Sequence, residues 1–216
     1  MQKIKTSHYD ILFSNQNSSF INDIIFKNKY SKVFILVDSN TKKYCLKLFL
    51  KKHLSEIKTQ LITIKKGEEN KNTKSLHSIW IKISKLGGDR NSLLINLGGG
   101  MISDLGGFVA STYNRGIDFI NIPTTLLSMV DASIGGKVGI NIEKLKNMVG
   151  VFNYPKLILI DTSFLQTLPK RELKSGFGEM LKHGLIFDKK YFKRLSELKN
   201  INSKLNNELI YTSIKI

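Results

Sequence analysis

Five short apolar segments recur along the first 160 residues of the chain, each four or five residues long and without polar alternation. They are rich in Ile, Val and Leu and lie at 33–37, 61–64, 93–97, 119–122 and 157–160. Strands that are buried on both faces of a parallel sheet have this continuous hydrophobic pattern. The sequence therefore predicts five buried strands.

Between most of these segments lie stretches compatible with helices, at 41–53, 72–86 and 102–113. Strands that alternate with helices indicate a parallel sheet with crossover helices. After Leu168 the strand signal ends, and apolar residues recur at helical spacing at Leu173, Phe177, Met180, Leu181 and Leu185. Pro169 suits the first position of a helix, because its missing N–H would have no partner there. We predict an α/β domain over residues 1–168 and the beginning of an all-helical domain over 169–216.

Length and cysteine content limit the class of protein. A chain of 216 residues is long enough for one complete domain and the beginning of a second. The single cysteine, Cys45, excludes an internal disulfide. No apolar run reaches the ~18 residues that a membrane span requires, and no secretory leader is evident. We therefore expect a soluble, cytoplasmic protein without a membrane partner.

The formal net charge of +17 raises the question of a nucleic-acid partner. Its distribution argues against one, because residues 85–180 contain 10 Lys and Arg against 8 Asp and Glu, a net charge of only +2. No zinc-finger spacing or aromatic-basic RNA motif accompanies the remaining lysines. The pattern favours a solvated lysine surface and no nucleic-acid partner.

A glycine cluster, Gly98-Gly99-Gly100, follows the apolar segment 93–97 and leads into a helical pattern. Glycines at such a position let the backbone approach a phosphate, and the helix N-terminus supplies free N–H donors. Ser103 replaces the third glycine of the usual dinucleotide fingerprint. The cluster alone is therefore compatible with a phosphate site or with a tight turn.

Two further patterns are weaker. A glycine pair before Lys137 resembles the end of a P-loop, but the first glycine of that motif would fall on Asp131 and Val138 stands where Ser or Thr must bind Mg²⁺. This argues against a nucleotide triphosphatase. Glu179 and His183 share one face of a predicted helix and could chelate a divalent metal, although a surface pair has the same spacing.

The order of these motifs along the chain is more specific than any one of them. They are GGGMISDL at 98–105, RGIDF at 115–119, PTTLL at 123–127, DASIGGK at 131–137, KN at 146–147 and GFGEMLK at 176–182. Together they resemble 3-dehydroquinate synthase, nearly collinearly over residues 97–186. A weaker likeness extends back through 38–40 and 67–71, and residues 209–216 look like the family's helix just before its histidine-bearing segment.

The resemblance implies a Rossmann-like NAD-binding domain followed by an incomplete helical domain for metal and substrate. It also implies a phosphate lyase of the shikimate pathway of aromatic amino-acid biosynthesis. Such an enzyme converts 3-deoxy-D-arabino-heptulosonate 7-phosphate to 3-dehydroquinate and phosphate, using catalytic NAD and a divalent metal, zinc or cobalt. The substrate is a small sugar-acid phosphate, and the family is homodimeric.

By position, the resemblance implies a set of cofactor residues that spans most of the α/β domain. These are Asp38 and Asn40 at the ribose, Glu68 and Lys71 nearby, Gly99, Gly100 and Met101 at the pyrophosphate, Asp104, Thr124, Thr125 and Asp131 toward the nicotinamide, and also Lys137, Lys146 and Thr167. The local alternatives remain open, since Thr124 and Thr125 follow a proline and suit a helix cap, and Asp104 suits a first helical turn.

The same resemblance implies substrate and metal residues. The substrate positions are Lys137, Lys146, Asn147 and Lys182, and Arg115 would reach a phosphate in the neighbouring subunit. Glu179 matches one metal ligand, whereas His183 falls where the family has none. The family's other two ligands are histidines beyond residue 216, so we expect these 216 residues alone to be a poor catalyst.

Two departures from the family pattern affect the region before the Lys146-Asn147 pair. Ile142 and Leu145 stand where the family usually has His and Gly, so we expect a distorted loop over 141–147. Two alternatives to the synthase remain open. One is a related polyol dehydrogenase or inosose synthase, and the other is a non-catalytic NAD-binding fragment.

Overall fold

The predicted strands form the centre of a larger sheet in the computed structural model, which describes residues 2–14, 20–54, 57–198, 201 and 205–216. The strands are β1 Lys3–Lys5, β2 Asp10–Phe13, β3 Val33–Asp38, β4 Gln60–Ile64, β5 Leu93–Gly98, β6 Asp118–Pro123, β7 Lys137–Ile142, β8 Leu145–Phe152 and β9 Leu157–Ile160. Within the described residues, seven of them form one sheet in the order β1-β2-β9-β6-β5-β3-β4, and β7 pairs with β8 as a separate hairpin.

All neighbouring strands of the sheet are parallel except β1, which pairs antiparallel with β2 at the edge. The chain passes from β3 outward to β4 and then returns to β5 on the other side of β3. The direction of winding therefore reverses between β3 and β5, and such a switch point leaves a crevice at the carboxyl ends of the two strands.

Helices cover both faces of the sheet. They are α1 Phe20–Asn28, α2 Ser39–Tyr44, α3 Leu46–His53, α4 Thr73–Lys85, α5 Gly100–Thr112, α6 Lys170–Phe187, α7 Lys189–Ser196 and α8 Asn207–Lys215. Alternate residues of β3 enter different hydrophobic clusters: Ile35 packs with Phe49 and the carboxyl-terminal helices, whereas Phe34 packs with Ile79 and Leu105. This two-sided burial confirms the Rossmann-like α/β class predicted from the continuous apolar segments.

The five predicted strands are confirmed to within one residue at each end, but three predictions about helices are wrong in detail. Residues 41–53 do not form one helix, because α2 ends and α3 begins around Cys45. The helix predicted at 102–113 begins earlier, at Gly100, since Gly99 is its N-cap. Pro169 is likewise the residue before α6 and not its first helical residue.

After residue 168 the described elements are all helical, as predicted. Leu173, Phe177 and Met180 of α6 are buried in the same hydrophobic cluster as one face of the sheet, whereas Leu185 is 70% exposed. The division into two domains at Leu168 stays a prediction. In the described part of the chain, no helix combines the length and the apolar character needed to cross a membrane.

Candidate functional site

The segments that follow β3, β4, β5 and β6 lie at the carboxyl edge of the sheet and carry most of the predicted site residues. They contribute Asp38 and Asn40, Glu68 and Lys71, Gly99, Gly100, Met101 and Asp104, and Thr124, Thr125 and Asp131. In open α/β sheets, ligands bind at this edge beside the switch point. Segments far apart in the sequence therefore share the place where a cofactor would bind.

The glycine cluster forms a closely packed turn between β5 and α5. No side chain caps α5, whose N-cap is Gly99. A Cβ atom on Gly99 would lie 3.0 Å from Cγ2 of Thr125, and one on Gly100 would lie 3.0 Å from Cβ of Ala132. Because the first N–H groups of a helix have no partner within it, this turn presents backbone donors beside the switch point, as a pyrophosphate requires.

Asp38 ends β3 and caps α2. Its Oδ1 accepts hydrogen bonds from the backbone N–H groups of Asn40 at 2.7 Å and Thr41 at 2.8 Å. The hydroxyl of Thr41 accepts a hydrogen bond from the backbone N–H of Asp38 at 3.0 Å, which completes a capping box. The cap fixes the carboxylate at the sheet edge, and its two backbone hydrogen bonds use Oδ1 and not Oδ2.

Lys71 is buried, with 3% of its surface exposed. Its Nζ lies 2.8 Å from Oδ2 of Asp104 and 3.2 Å from Oε1 of Glu68, and it donates a hydrogen bond to Oδ1 of Asn147. Two carboxylates and an amide from three separate segments thus share one ammonium group. We call Lys71, Glu68, Asp104 and Asn147 the lysine cluster.

The protonation of Asp104 depends on this cluster. Burial raises the pKa of Asp104 above its ordinary value, whereas the hydrogen bond and the charge of Lys71 lower it. The negative charges of Glu68 and Asp131 raise it again. The ionised form of Asp104 therefore relies on Lys71 for its stability.

A cavity of 470 Å³ opens beside the lysine cluster. Its charged and amide lining consists of Asp104, Asp131, Lys137 and Asn147, all four predicted as site residues. The hairpin adds apolar lining, including the side chain of Phe152. This volume is within the range of about 300–1,000 Å³ that is usual for small-molecule sites, and Lys137 gives the cavity a cation that can bind an anionic substrate.

Thr124 and Thr125 have local partners as well as a place at the sheet edge. The hydroxyl of Thr125 accepts a hydrogen bond from the backbone N–H of Ser128 at 3.2 Å, as the capping alternative requires. Thr124 is buried and forms a hydrogen bond with the thiol of Cys45. Burial raises the pKa of the Cys45 thiol to about 11, Asp38 raises it as well, and the bond with Thr124 lowers it. Cys45 is therefore a neutral thiol and not a nucleophile.

Comparison with known proteins identifies the family. A family model described as 3-dehydroquinate synthase N-terminal matches residues 61–175. The chain belongs to the 3-dehydroquinate synthase family. The 3-dehydroquinate synthase of Parabacteroides distasonis is 42% identical over 216 residues, covering 97% of this chain and 60% of the relative. That of Pelagibacter ubique is 40% identical over 216 residues, covering 98% of this chain and 58% of the relative.

The chain thus spans about 60% of the length of these family members. Among solved structures, 2-deoxy-scyllo-inosose synthase complexed with carbaglucose-6-phosphate, NAD⁺ and Co²⁺ matches with a TM-score of 0.79 and 23% identity, covering 96% of this chain and 57% of that one. The 2-epi-5-epi-valiolone synthase of Streptomyces hygroscopicus, with NAD⁺ and Zn²⁺ bound, matches with a TM-score of 0.77 and 23% identity. The match covers 100% of this chain and 61% of that one. These likenesses show a shared fold.

The metal position predicted for this family lies on α6. Glu179 forms an ion pair with Lys182, and Oε1 of Glu179 lies 3.2 Å from Nε2 of His183. The hydrogen bond with Glu179 raises the pKa of Lys182, and the negative charges of Glu179 and Asp131 raise it as well. Across the described ranges, no group of three His, Cys, Asp or Glu side chains could hold a metal ion. Glu179 is therefore a single candidate ligand and not a complete site.

Three predicted residues lie neither in the lining of the cavity nor in the segments of the sheet edge described above. Arg115 follows the carboxyl end of α5, whose 13 residues extend ~20 Å from the glycine turn. Lys146 is exposed on β8. Thr167 is exposed, and its hydroxyl donates a hydrogen bond to the carbonyl of Phe164 at 3.4 Å. Their cofactor and substrate roles stay predictions.

Two residues that the sequence did not single out support the cavity. The Tyr9 hydroxyl accepts a hydrogen bond from the backbone N–H of Gly135 at 2.9 Å, just before Lys137. Asn141 donates from its side chain to Glu68 at 3.0 Å. These partners are 126 and 73 residues apart, so neither periodicity nor motif spacing could have indicated them.

Proposed function

We propose that this chain provides the NAD⁺-binding region and part of the substrate site of a 3-dehydroquinate synthase. The reaction converts 3-deoxy-D-arabino-heptulosonate 7-phosphate to 3-dehydroquinate and phosphate. The observation that carries the proposal is the cavity, which groups Asp104, Asp131, Lys137 and Asn147 at the sheet edge that also carries the glycine turn. Family membership supports the reaction, and the neighbouring structures that contain NAD⁺ support the cofactor.

We assign separate roles in cofactor binding and substrate binding to these residues. Bound NAD⁺ would supply reversible hydride transfer at a hydroxyl-bearing carbon of the substrate. The Asp38 carboxylate holds a ribose hydroxyl, and the N–H groups of the glycine turn hold the pyrophosphate. Lys137 binds an anionic group of the substrate, and Asn147 hydrogen bonds to a hydroxyl. The carboxylate of Asp131, which also lines the cavity, accepts a hydrogen bond from a substrate hydroxyl.

Two further parts of the proposal concern a metal ion and a neighbouring subunit. Glu179 is one ligand of a divalent metal, zinc or cobalt, but the described residues do not complete that site, so no step of the reaction is assigned to an ion. Arg115 stands at the far end of α5 and serves the site of a neighbouring subunit in a homodimer, since α5 separates it from the glycine turn of its own chain by ~20 Å.

Two measurements test the function together. NAD⁺ is titrated into the chain by calorimetry, and phosphate release from the heptulosonate phosphate is measured with the longest encoded form of the protein. NAD⁺ binding together with phosphate release supports the proposal. Oxidation of a polyol without phosphate release would point to the related dehydrogenases, and absence of NAD⁺ binding would overturn the proposal.

Asp38→Asn should weaken NAD⁺ binding about tenfold, roughly 1.4 kcal/mol, because the amide can still cap α2 but lacks the charge that strengthens a ribose hydrogen bond. Calorimetric titration measures the difference. Asp188→Asn is the control, since Asp188 caps α7 by accepting a hydrogen bond from the backbone N–H of Tyr191 and is not one of the predicted cofactor residues. Equal affinities of Asp38→Asn and the wild type would refute the ribose assignment.

Lys137→Ala should raise the KM for the heptulosonate phosphate on the order of tenfold, because the cavity loses the cation that binds an anion. The residue is exposed, so the free energy of unfolding should change by no more than about 0.5 kcal/mol. Lys144→Ala, in the hairpin turn outside the cavity lining, provides the control. A large loss of stability with unaltered kinetics would make Lys137 a structural residue.

A further inference from the structure

The pairing of β7 with β8 is irregular beside the cavity. The register shifts between Ile140 and Ile142, which leaves Asn141 outside the ladder. On the facing strand, Asn147 has a φ of 56°, in the left-handed region that asparagine tolerates better than most residues. Backbone groups at such an irregularity must find partners outside the ladder.

Asn141 forms hydrogen bonds outside the ladder through both its backbone and its side chain. Its backbone N–H donates to the carbonyl of Lys71 at 2.8 Å. Its Oδ1 accepts a hydrogen bond from the backbone N–H of Asn147 at 2.9 Å, and its Nδ2 donates to Oε1 of Glu68 at 3.0 Å. One residue thus joins the hairpin to the segment after β4, and the three residues that it bonds all belong to the lysine cluster.

We propose that Asn141 is a positioning residue that fixes Asn147 and Glu68 around the ammonium group of Lys71 and so sets the shape of the cavity. The inference rests on the proposed function only in assigning this cavity to cofactor and substrate. An amide suits the position, since one end accepts a hydrogen bond while the other donates. Aspartate keeps the acceptor for Asn147 but places a second carboxylate against Glu68, and leucine removes both contacts.

The first test needs no ligand. Lys71 is buried and held by its cluster, so brief acetylation of the wild type should modify it far more slowly than exposed lysines. Asn141→Leu should increase the labelling of Lys71 about tenfold relative to the exposed Lys144, because the cluster opens more often. Asn141→Asp should give an intermediate rate, measured by mass spectrometry of the labelled peptides.

A matched control separates positioning from general loosening of the hairpin. Asn153 follows the other end of β8 and donates to Oγ of Ser111 at 2.8 Å. Asn153→Leu should leave the labelling of Lys71 unchanged. A second measurement, NAD⁺ affinity by calorimetry, should show a loss on the order of tenfold for Asn141→Leu and none for Asn153→Leu.

The outcomes distinguish this inference from the proposed function. Unchanged labelling of Lys71 in Asn141→Leu overturns the inference whether or not the protein binds NAD⁺, and an equal increase in Asn153→Leu overturns it too. Increased labelling that is specific to Asn141→Leu supports it, even if the wild type fails to bind NAD⁺, which would overturn the proposed function alone. If circular dichroism shows that the leucine variant is unfolded, the labelling of Lys71 in Asn141→Asp is the test. A labelling rate equal to that of the wild type would then overturn the inference.

Discussion

Lys71→Met should lower the free energy of unfolding by about 2 kcal/mol at neutral pH, because it leaves a partly buried carboxylate without its partner. The carboxylate is that of Asp104, 2.8 Å from Nζ of Lys71. Methionine approximates the volume of the lysine stem, so the loss comes from the charge and its hydrogen bonds more than from a cavity. Urea unfolding of both proteins near pH 7 measures the difference.

Two comparisons identify the electrostatic origin of this loss. Asp104→Asn in the Lys71→Met background should recover part of the stability, because the double variant buries no unpaired charge. Loss of Lys71 also removes the two influences that lower the pKa of Asp104, so that pKa rises further above its ordinary value. A carboxyl group with a raised pKa in the folded protein stabilises the fold at low pH, and this stabilisation is lost as the pH rises through that pKa. The difference in free energy of unfolding between Lys71→Met and the wild type should therefore become smaller on acidification. A gap independent of pH, with no recovery in the double variant, would contradict this origin.

The sheet could be predicted from the sequence because its strands are buried on both faces. Residues 93–97 and 157–160 read as continuous apolar segments, and the structure places both in the interior of a parallel sheet. Strand β8 gives the opposite case. Every residue of β8 is exposed, so no burial pattern in the sequence could indicate it, and the expected distorted loop is a hairpin with an irregular register.

The candidate site could be predicted only where the family motifs run. Gly99, Asp104 and Lys137 are recognisable because each lies within an ordered block of sequence. The contacts that organise them join distant segments, as between Lys71 and Asn147, which are 76 residues apart. Such contacts follow from the order of the strands in the sheet and from the position of the hairpin. Neither can be deduced from a single sequence considered alone.

Replacing two glycines on α6 by alanine should change the free energy of unfolding in opposite directions. Gly176→Ala should lower the free energy of unfolding by about 3 kcal/mol, at the upper end of usual overpacking losses. A Cβ atom on Gly176 would lie 2.4 Å from the backbone nitrogen of Leu127 and 2.6 Å from Cβ of Leu126, and a backbone contact cannot rotate away. A Cβ on Gly178 would meet nothing within 4 Å, so Gly178→Ala should raise the free energy of unfolding by about 0.5–1 kcal/mol through helix propensity.

The same pair of variants tests whether the position of α6 matters for the site. Gly176 lets α6 approach the segment after β6, and the same helix carries the predicted site residues Glu179 and Lys182. Gly176→Ala should therefore also raise the KM for the heptulosonate phosphate in the longest encoded form of the protein, whereas Gly178→Ala should leave it unchanged. If Gly176→Ala lost stability without any change in KM, or if both variants shifted stability in the same direction, then close packing of α6 would not be what positions its predicted site residues Glu179 and Lys182.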